Sequence, residues 1–446
     1  MKTQLLKYWD HIRSSFWFLP SIMAAGAVVL SFATVALDKT VATKGIKAFD
    51  WVYTGGAEGA SAVLQTIAGS MITIAGVVFS LTLVALSLAS SQFGPRLLRN
   101  FMRDTTNQLV LGTFVATFLY CLLVLRTIRR ADAVAFVPHL SVTLGVLFAL
   151  ASLWVLIYFI HHVSVSIQAD EIVARVGSEL NDVIERLYPV PIVLPLRPIN
   201  ENNSSNLPDA LGRDGRAVGA PHDGYLQIID TDALAELAEE EKILLRVERR
   251  PGHYIVKGSP LITVWPGDRV CDDLSARMTS AFVVGNQRTP SQDIEFPVYQ
   301  LVEIAVRALS PGVNDPFTAV VCLDRLSSAL SRLAQREMPS GERRDADNRL
   351  LLIVPSQNFP DIVDAAFNQI RQDARSNAAV TIRLLETITV IAQVARRLDD
   401  QAALLRHADM IARGARQGLP EENDRQAVEE CYARVSRLLR EAAQCG

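Results

Sequence analysis

The chain has 446 residues, is 50% hydrophobic and carries a formal net charge of −3. That slightly acidic balance lacks the basic footprint of a nucleic-acid binder, so no nucleic-acid partner is expected. Five cysteines (Cys121, Cys271, Cys322, Cys431, Cys445) are odd in number and form no C-x-x-C, which excludes a disulfide framework or a zinc site and suits a reducing compartment.

The long apolar runs sit before residue 165 and most acidic residues after it. Residues 1–17 are basic and aromatic (Lys2, Lys7, Trp9, Arg13, Trp17), the pattern of an interfacial helix feeding a first span over about Phe18–Leu37. No A-x-A-like cleavage site precedes a soluble domain, so this is not read as a secretory signal. A polar connection, Asp38–Ala60, holds Trp51, Tyr53 and a glycine cluster.

The chain is organised around the next stretch, Ser61–Asp104. Its first thirty or so residues are uncharged and would make a helix of roughly 45 Å, longer than a hydrocarbon core of about 30 Å. Thr66, Ser70, Thr73, Ser80, Ser87 and Ser91 recur at steps of three, four or seven and share one face, with Gly69 and Gly76 beside them. This stripe reads either as the lining of a permeation path or as a close-packing seam against another helix. Gly94-Pro95 ends the run. Arg96, Arg99 and Arg103 follow on one face, suited to anionic lipid headgroups or, at a pore mouth, to anions.

A third span is expected over about Leu109–Leu125 and a fourth over about Leu140–Ile160, closed by His161-His162. Four spans place both termini on one side. The cations flanking the spans are evenly divided between the two sides, so the positive-inside rule ties. The free cysteines and the lack of an export signal favour cytoplasmic termini in a bacterial inner membrane.

Ser164–Leu187 is amphipathic, and Glu201–Ala220 reads as a linker. Four short strands are expected within Gly215–Pro266, with Asp230 or Thr231 capping an intervening helix. The glycine spacing there resembles a barrel-sandwich module of the biotinyl/lipoyl type. The carrier lysine is missing from that position, so a structural module is expected and no cofactor. From Asp272 onward the pattern reads as helical: Phe296–Leu309, Phe317–Leu333, Asp361–Arg375, Ala378–Leu398 and Glu421–Ala443, with Leu350–Pro355 as one strand-like run.

Catalytic vocabulary is sparse. No G-x-x-x-x-G-K-[ST], H-E-x-x-H, G-x-S-x-G or G-x-G-x-x-G occurs, and neither an enzyme nor a metal site is expected. The turn Ser310-Pro311-Gly312-Val313-Asn314-Asp315-Pro316 reads as a capped helical hairpin, or as a loop presenting Arg307, Ser310, Asn314 and Asp315 to a ligand or a neighbouring subunit.

Two unusual segments, FSLTLVALSLASSQFGPRLLRNFMRD (residues 79–104) and QDIEFPVYQLVEIAVRALSPGVNDPFTA (residues 292–319), resemble a family of bacterial predicted membrane proteins catalogued as a domain of unknown function. The resemblance implies a multi-pass inner-membrane protein with a soluble C-terminal region, and supplies no activity or site residue. The expected architecture is a four-span α-helical membrane domain (1–165), an amphipathic helix and linker (166–214), a small β-rich module (215–270) and a helical cytoplasmic domain (271–446). The expected function is an oligomeric channel-like protein acting on an ion or small solute, with membrane lipids and further copies of itself as partners. The alternative is a membrane-anchored scaffold.

Overall fold

A computed structural model describes residues 17–44, 55–94, 104–129, 136–166, 168–190 and 214–445. The basic N-terminal segment before Trp17, Trp51, Tyr53, most of the linker, and Arg96, Arg99 and Arg103 lie outside the described residues. The chain divides into two compact units, Leu5–Glu171 and Ile172–Gly446.

The first unit holds four helices long and apolar enough to cross a membrane: α1 (Phe18–Lys44), α2 (Ala57–Phe93), α3 (Thr105–Leu125) and α4 (His139–Ser166). Each expected span falls inside one of them. Helix α3 is the centre of the bundle, packing on α1, α2 and α4. Its span window is 44% buried against 22% for each of the others. Two glycines set the closest helix approaches. A Cβ on Gly112 would lie 2.5 Å from the Met23 sulfur of α1, and one on Gly145 would lie 3.1 Å from Leu64 of α2. Midway along, the buried hydroxyls of Thr117 (α3) and Ser152 (α4) meet at 3.3 Å.

The second unit begins within α5 (Ala169–Leu187), which buries Ile172, Val176, Leu180 and Ile184 and sets Gly177 against the Arg325 side chain. Then come β1 (Arg216–Gly219), β2 (Gly224–Ile229), α6 (Thr231–Glu241), β3 (Leu244–Val247), β4 (Tyr254–Ile255) and β5 (Pro260–Trp265). The Asp230 side chain caps α6 by accepting from Ala233 N at 3.1 Å. After these follow α7 (Asp272–Ser280), β6 (Phe282–Gly285), α8 (Glu295–Leu309), α9 (Pro316–Ala334), β7 (Glu342–Arg344) and β8 (Leu350–Ile353). Helices α10 (Phe359–Asp373), α11 (Ala378–Ala392), α12 (Leu398–Gly418) and α13 (Glu422–Cys445) complete the chain.

Two sheets form. One has the order β1-β5-β3-β8-β7, antiparallel except for the parallel β3–β8 pair, and the other is the antiparallel β4-β2-β6. Leu226, Leu245, Leu261, Ile262, Val264, Phe282 and Leu352 share one core. The sheets therefore draw three strands from beyond residue 271: β8, at the expected strand-like run Leu350–Pro355, and β6 and β7, where a helical pattern is expected. Helix α12 fills a stretch the sequence pattern leaves unassigned. Its buried face, Ala403, Leu404, His407, Ala408, Ile411, Ala412 and Ala415, is mostly alanine and carries a weak hydropathy signal.

Candidate functional site

Helix α2 has 37 residues, about 55 Å at 1.5 Å per residue, against a hydrocarbon core of about 30 Å. Its buried face is Ala60, Leu64, Ala68, Met71, Ala75, Val78, Ala85 and Ala89, the first six of which belong to the two apolar cores of the bundle. At 100° per residue the hydroxyl stripe lies roughly half a turn away. Thr66, Ser70, Thr73, Ser80, Ser87 and Ser91 are all exposed. A Cβ added to Gly69 or Gly76 would meet nothing within 4 Å. So, among the described residues, the stripe is not the seam by which α2 joins its own chain, and the packing glycines are Gly112 and Gly145.

Four of the stripe's six hydroxyls, those of Thr66, Ser70, Thr73 and Ser91, turn back on their own helix. Thr66 donates to Ala62 O at 2.8 Å, Ser70 to Thr66 O at 2.8 Å and Thr73 to Gly69 O at 2.9 Å. A hydroxyl so bonded has its proton engaged and its lone pairs turned outward. The face is thus narrow, acceptor-rich and uncharged.

Carboxylates fix both ends of the bundle. At one end Asp38, the last side chain before Lys39 on α1, is 5% exposed and accepts from Leu140 N (2.9 Å), Ser141 N (2.9 Å) and the Ser141 hydroxyl (2.6 Å). A residue of α1 thereby satisfies the free N–H groups at the start of α4. Tyr120 of α3 donates to Ser141 O at 3.1 Å, and the Thr34 hydroxyl lies 3.1 Å from the phenol oxygen. At the other end Asp104 caps α3 through Thr106 N (2.9 Å) and meets His162 Nε2 at 2.8 Å. Tyr158 stacks on His162, and Ser166 lies 3.3 Å from the same nitrogen. Sequence reading passes over Asp38 and gives His162 only an interfacial place. The available signal is an acid closing a long apolar run.

In the second unit, the Asn-Asp-Pro turn is a capped hairpin joining α8 and α9. Asn314 takes a left-handed conformation (φ 49°), and Asp315 N donates to Ala308 O at 2.7 Å. Both Asp315 carboxylate oxygens are taken by Thr318, from its N–H at 3.2 Å and its hydroxyl at 2.5 Å. The Ser310 hydroxyl donates to Arg307 O at 2.6 Å, and Arg307 lies 3.6 Å from Glu303 one turn back. The turn brings Ser310, Asn314 and Asp315 together as local backbone scaffolding, while Val313 and Phe317 project into solvent.

A buried ionic network lies nearby in sequence. Arg288 holds Asp293 with two bonds (2.7 and 2.9 Å) and reaches Glu295 at 3.1 Å. Arg250 binds the other Glu295 oxygen at 2.7 Å and donates to His253 at 2.9 Å. Burial pushes the Asp293 carboxyl above its ordinary range, with Arg288 opposing it, and burial likewise lowers His253. Two arginines and two carboxylates balance, so this network pins the 250–253 turn to the 288–295 loop. Gly252 is part of the fit: its φ is 92° and a Cβ would collide with the Asp293 carboxylate.

Among the described residues no group of three or more His, Cys, Asp or Glu converges as a metal site. Cys121, Cys322 and Cys431 are buried free thiols, and Cys271 is exposed at the cap of α7.

A family model described as "Predicted membrane protein (DUF2254)" matches residues 13–390. An uncharacterized protein of Mycobacterium bovis is 33% identical over 440 residues, covering 96% of this chain and 82% of its own. Uncharacterized proteins of two Mycobacterium tuberculosis strains are 33% and 32% identical over the same shares. No solved structure matches.

Proposed function

The chain belongs to the DUF2254 family of predicted membrane proteins, and from that premise we propose that it is an oligomeric, channel-like protein of the bacterial inner membrane. Copies would meet around the outward hydroxyl face of α2, with Thr66, Ser70, Thr73, Ser80, Ser87 and Ser91 lining a path for an ion or small solute. Both termini would be cytoplasmic, and the second unit would gate or sense. The observation that carries the reading is that this face, with Gly69 and Gly76, is exposed and packs on nothing among the described residues of its own chain. Its outward lone pairs can replace part of a hydration shell. Arg96, Arg99 and Arg103 would place cations at one mouth and favour anions.

A second reading has its own support. Because Thr66, Ser70 and Thr73 satisfy their hydroxyl protons within α2, the same face can close dry against a neighbouring copy and make a membrane-anchored scaffold.

Conductance across planar bilayers, with wild type beside Ser80→Leu, decides between them. The channel reading expects discrete steps in wild type that vanish in Ser80→Leu while native mass spectrometry shows the same oligomer. A bilayer silent under varied voltage, tension and pH refutes it. An oligomer that falls apart in Ser80→Leu assigns the face to packing.

A further inference from the structure

The groove between α10 and α12 carries more positive charge than its acids can balance. The two helices pack side by side in the second unit. At one end Asp364 of α10 meets Arg406 at 2.7 Å and His407 Nε2 at 2.6 Å. Moving along the groove, Arg371 lies seven residues after Asp364 and Arg413 seven after Arg406, so each pair shares a helix face. Arg375 follows one turn later and lies over Gly414 and Gly418 of α12, where a Cβ on Gly418 would collide with its backbone.

The arginines at the two ends of this row differ in what holds them. Arg406 is engaged by Asp364, and Arg416 is held by Glu429 at 2.8 Å. Among the described residues no carboxylate pairs with Arg371, Arg375 or Arg413. Arg371 donates to the Asn368 side chain at 3.1 Å, and its buried Nε has no hydrogen-bond partner. Burial, and then Arg413, depress the Arg371 guanidinium below its ordinary range, with Asp364 opposing them.

We propose that the α10–α12 groove binds a phosphate-bearing anion through Arg371, Arg375 and Arg413. Arg371 sits in the last turn of α10 and Arg375 in the short turn that follows it, and the Arg375 Cβ comes 4.0 Å from a Cβ placed on Gly414, the chain neighbour of Arg413 on α12. Guanidinium forks gathered there match the oxygens of a phosphate group, and each one leaves a carboxylate-free fork for it. The bound anion relieves the mutual repulsion. Three cations in a protein of net charge −3 make too small a footprint for a nucleic acid. The phosphate can come from a soluble compound or from a lipid headgroup.

The test uses the full-length protein, comparing wild type with Arg413→Gln and Arg375→Gln, and with Arg396→Gln, an exposed arginine outside the groove, as control. In a neutral detergent, pyrophosphate is titrated calorimetrically at fixed ionic strength. In parallel, the melting temperature is compared in phosphatidylglycerol and phosphatidylcholine nanodiscs. Saturable pyrophosphate binding that weakens at least tenfold in Arg413→Gln and Arg375→Gln, but not in Arg396→Gln, supports a soluble phosphate ligand. No pyrophosphate binding, with a phosphatidylglycerol-specific stabilisation lost in the same two variants, supports the headgroup. Absence of both effects, or effects that survive both substitutions, overturns the proposal. Because Arg375 and Arg413 are exposed, their replacement leaves folding intact and the unliganded melting temperature unchanged or raised.

Discussion

Replacing Asp38 with alanine should loosen the membrane unit more than any change on its lipid-facing surface. The carboxylate accepts three hydrogen bonds from the first turn of α4, two of them from backbone N–H groups. In Asp38→Ala the Ser141 hydroxyl can rotate to a carbonyl of its own turn, as Thr143 does with His139. Leu140 N and Ser141 N cannot, because a helix's first N–H groups have no acceptor inside the helix. Each buried donor left unsatisfied costs about 1–3 kcal/mol. Access of water at the bundle end moves both toward the lower part of that range, for a total of about 3 kcal/mol. For a unit of this size 1 kcal/mol shifts the melting temperature by about 2–4 °C, so the expected fall is about 6–12 °C. Asp38→Asn retains one acceptor oxygen and should fall about half as far, and Ser141→Ala less again.

Cys121 supplies the assay, since it is fully buried between α3 and its neighbours. In full-length protein with Cys271, Cys322, Cys431 and Cys445 changed to serine, a thiol-reactive dye reports only the opening of the membrane unit. If Asp38→Ala releases Cys121 at the wild-type temperature, the α1–α4 cap does not hold the bundle, and the reasoning from unsatisfied donors fails here.

Four further substitutions probe other contacts. Gly145→Val forces a side chain toward Leu64 and Cys121 and should cost about 1–3 kcal/mol by overpacking, whereas Gly69→Val, in open space, should stay within about 0.5 kcal/mol; equal Cys121 release in both would contradict the assigned seams. Gly252→Ala requires φ 92° of an alanine and drives its methyl into the Asp293 carboxylate, so a loss of about 2–4 kcal/mol is expected from calorimetry of the second unit's transition. Burial holds His407 below its ordinary value near 6.5, with Arg406 and Arg371 adding to the effect and Asp364 opposing it. The unfolded chain therefore takes up the proton first, and stability should be complete above pH 6.5 and decline as pH falls from there toward the folded-state value. Asp364, whose carboxyl is lowered by His407 and Arg406 against burial, should add its own loss only below about pH 4. His407→Asn should abolish the upper phase in a pH series of melting temperatures, and a wild type equally stable at pH 7 and pH 5 would refute the assignment.

What the sequence reveals and hides follows from the range of each interaction. The spans are legible because a membrane helix satisfies its backbone internally, and the required run of apolar residues is continuous in sequence. The Asp230 cap and the Asp315-Pro316 start of α9 are legible because a capping side chain acts within three residues. The Asp38 cap is not, since it joins residues 102 and 103 apart. Strand β6 is similar: Phe282–Gly285 becomes a strand by pairing with β2 more than fifty residues earlier, and four residues carry little periodicity of their own, whereas the apolar run at Leu350–Ile353 is legible as strand-like. The stripe residues of α2 are legible as a set, but their direction is not. Alanines on one side and serines and glycines on the other are both small, and either face satisfies the packing rule.

The direction of that face bears on what surrounds it. A threonine or serine whose proton is bonded one turn back can meet lipid at little cost, so the hydroxyls alone do not demand a neighbour. Glycine is different. Each one in a helix interior costs about 1 kcal/mol relative to alanine, and in lipid it fills no space. Elsewhere the exposed surface of α2 is built of Ile72, Val77, Leu81, Leu83, Val84 and Leu88, the side chains that suit acyl chains. Gly69 and Gly76 stand beside the hydroxyls with no described atom within 4 Å of where a side chain would begin, and the missing side chains make a shallow furrow along α2. A furrow bordered by acceptor oxygens fits either the close approach of a second helix or the passage of a polar solute between several copies. In both proposed readings the neighbour is another copy of the chain, which makes the oligomer's survival in Ser80→Leu the deciding observation.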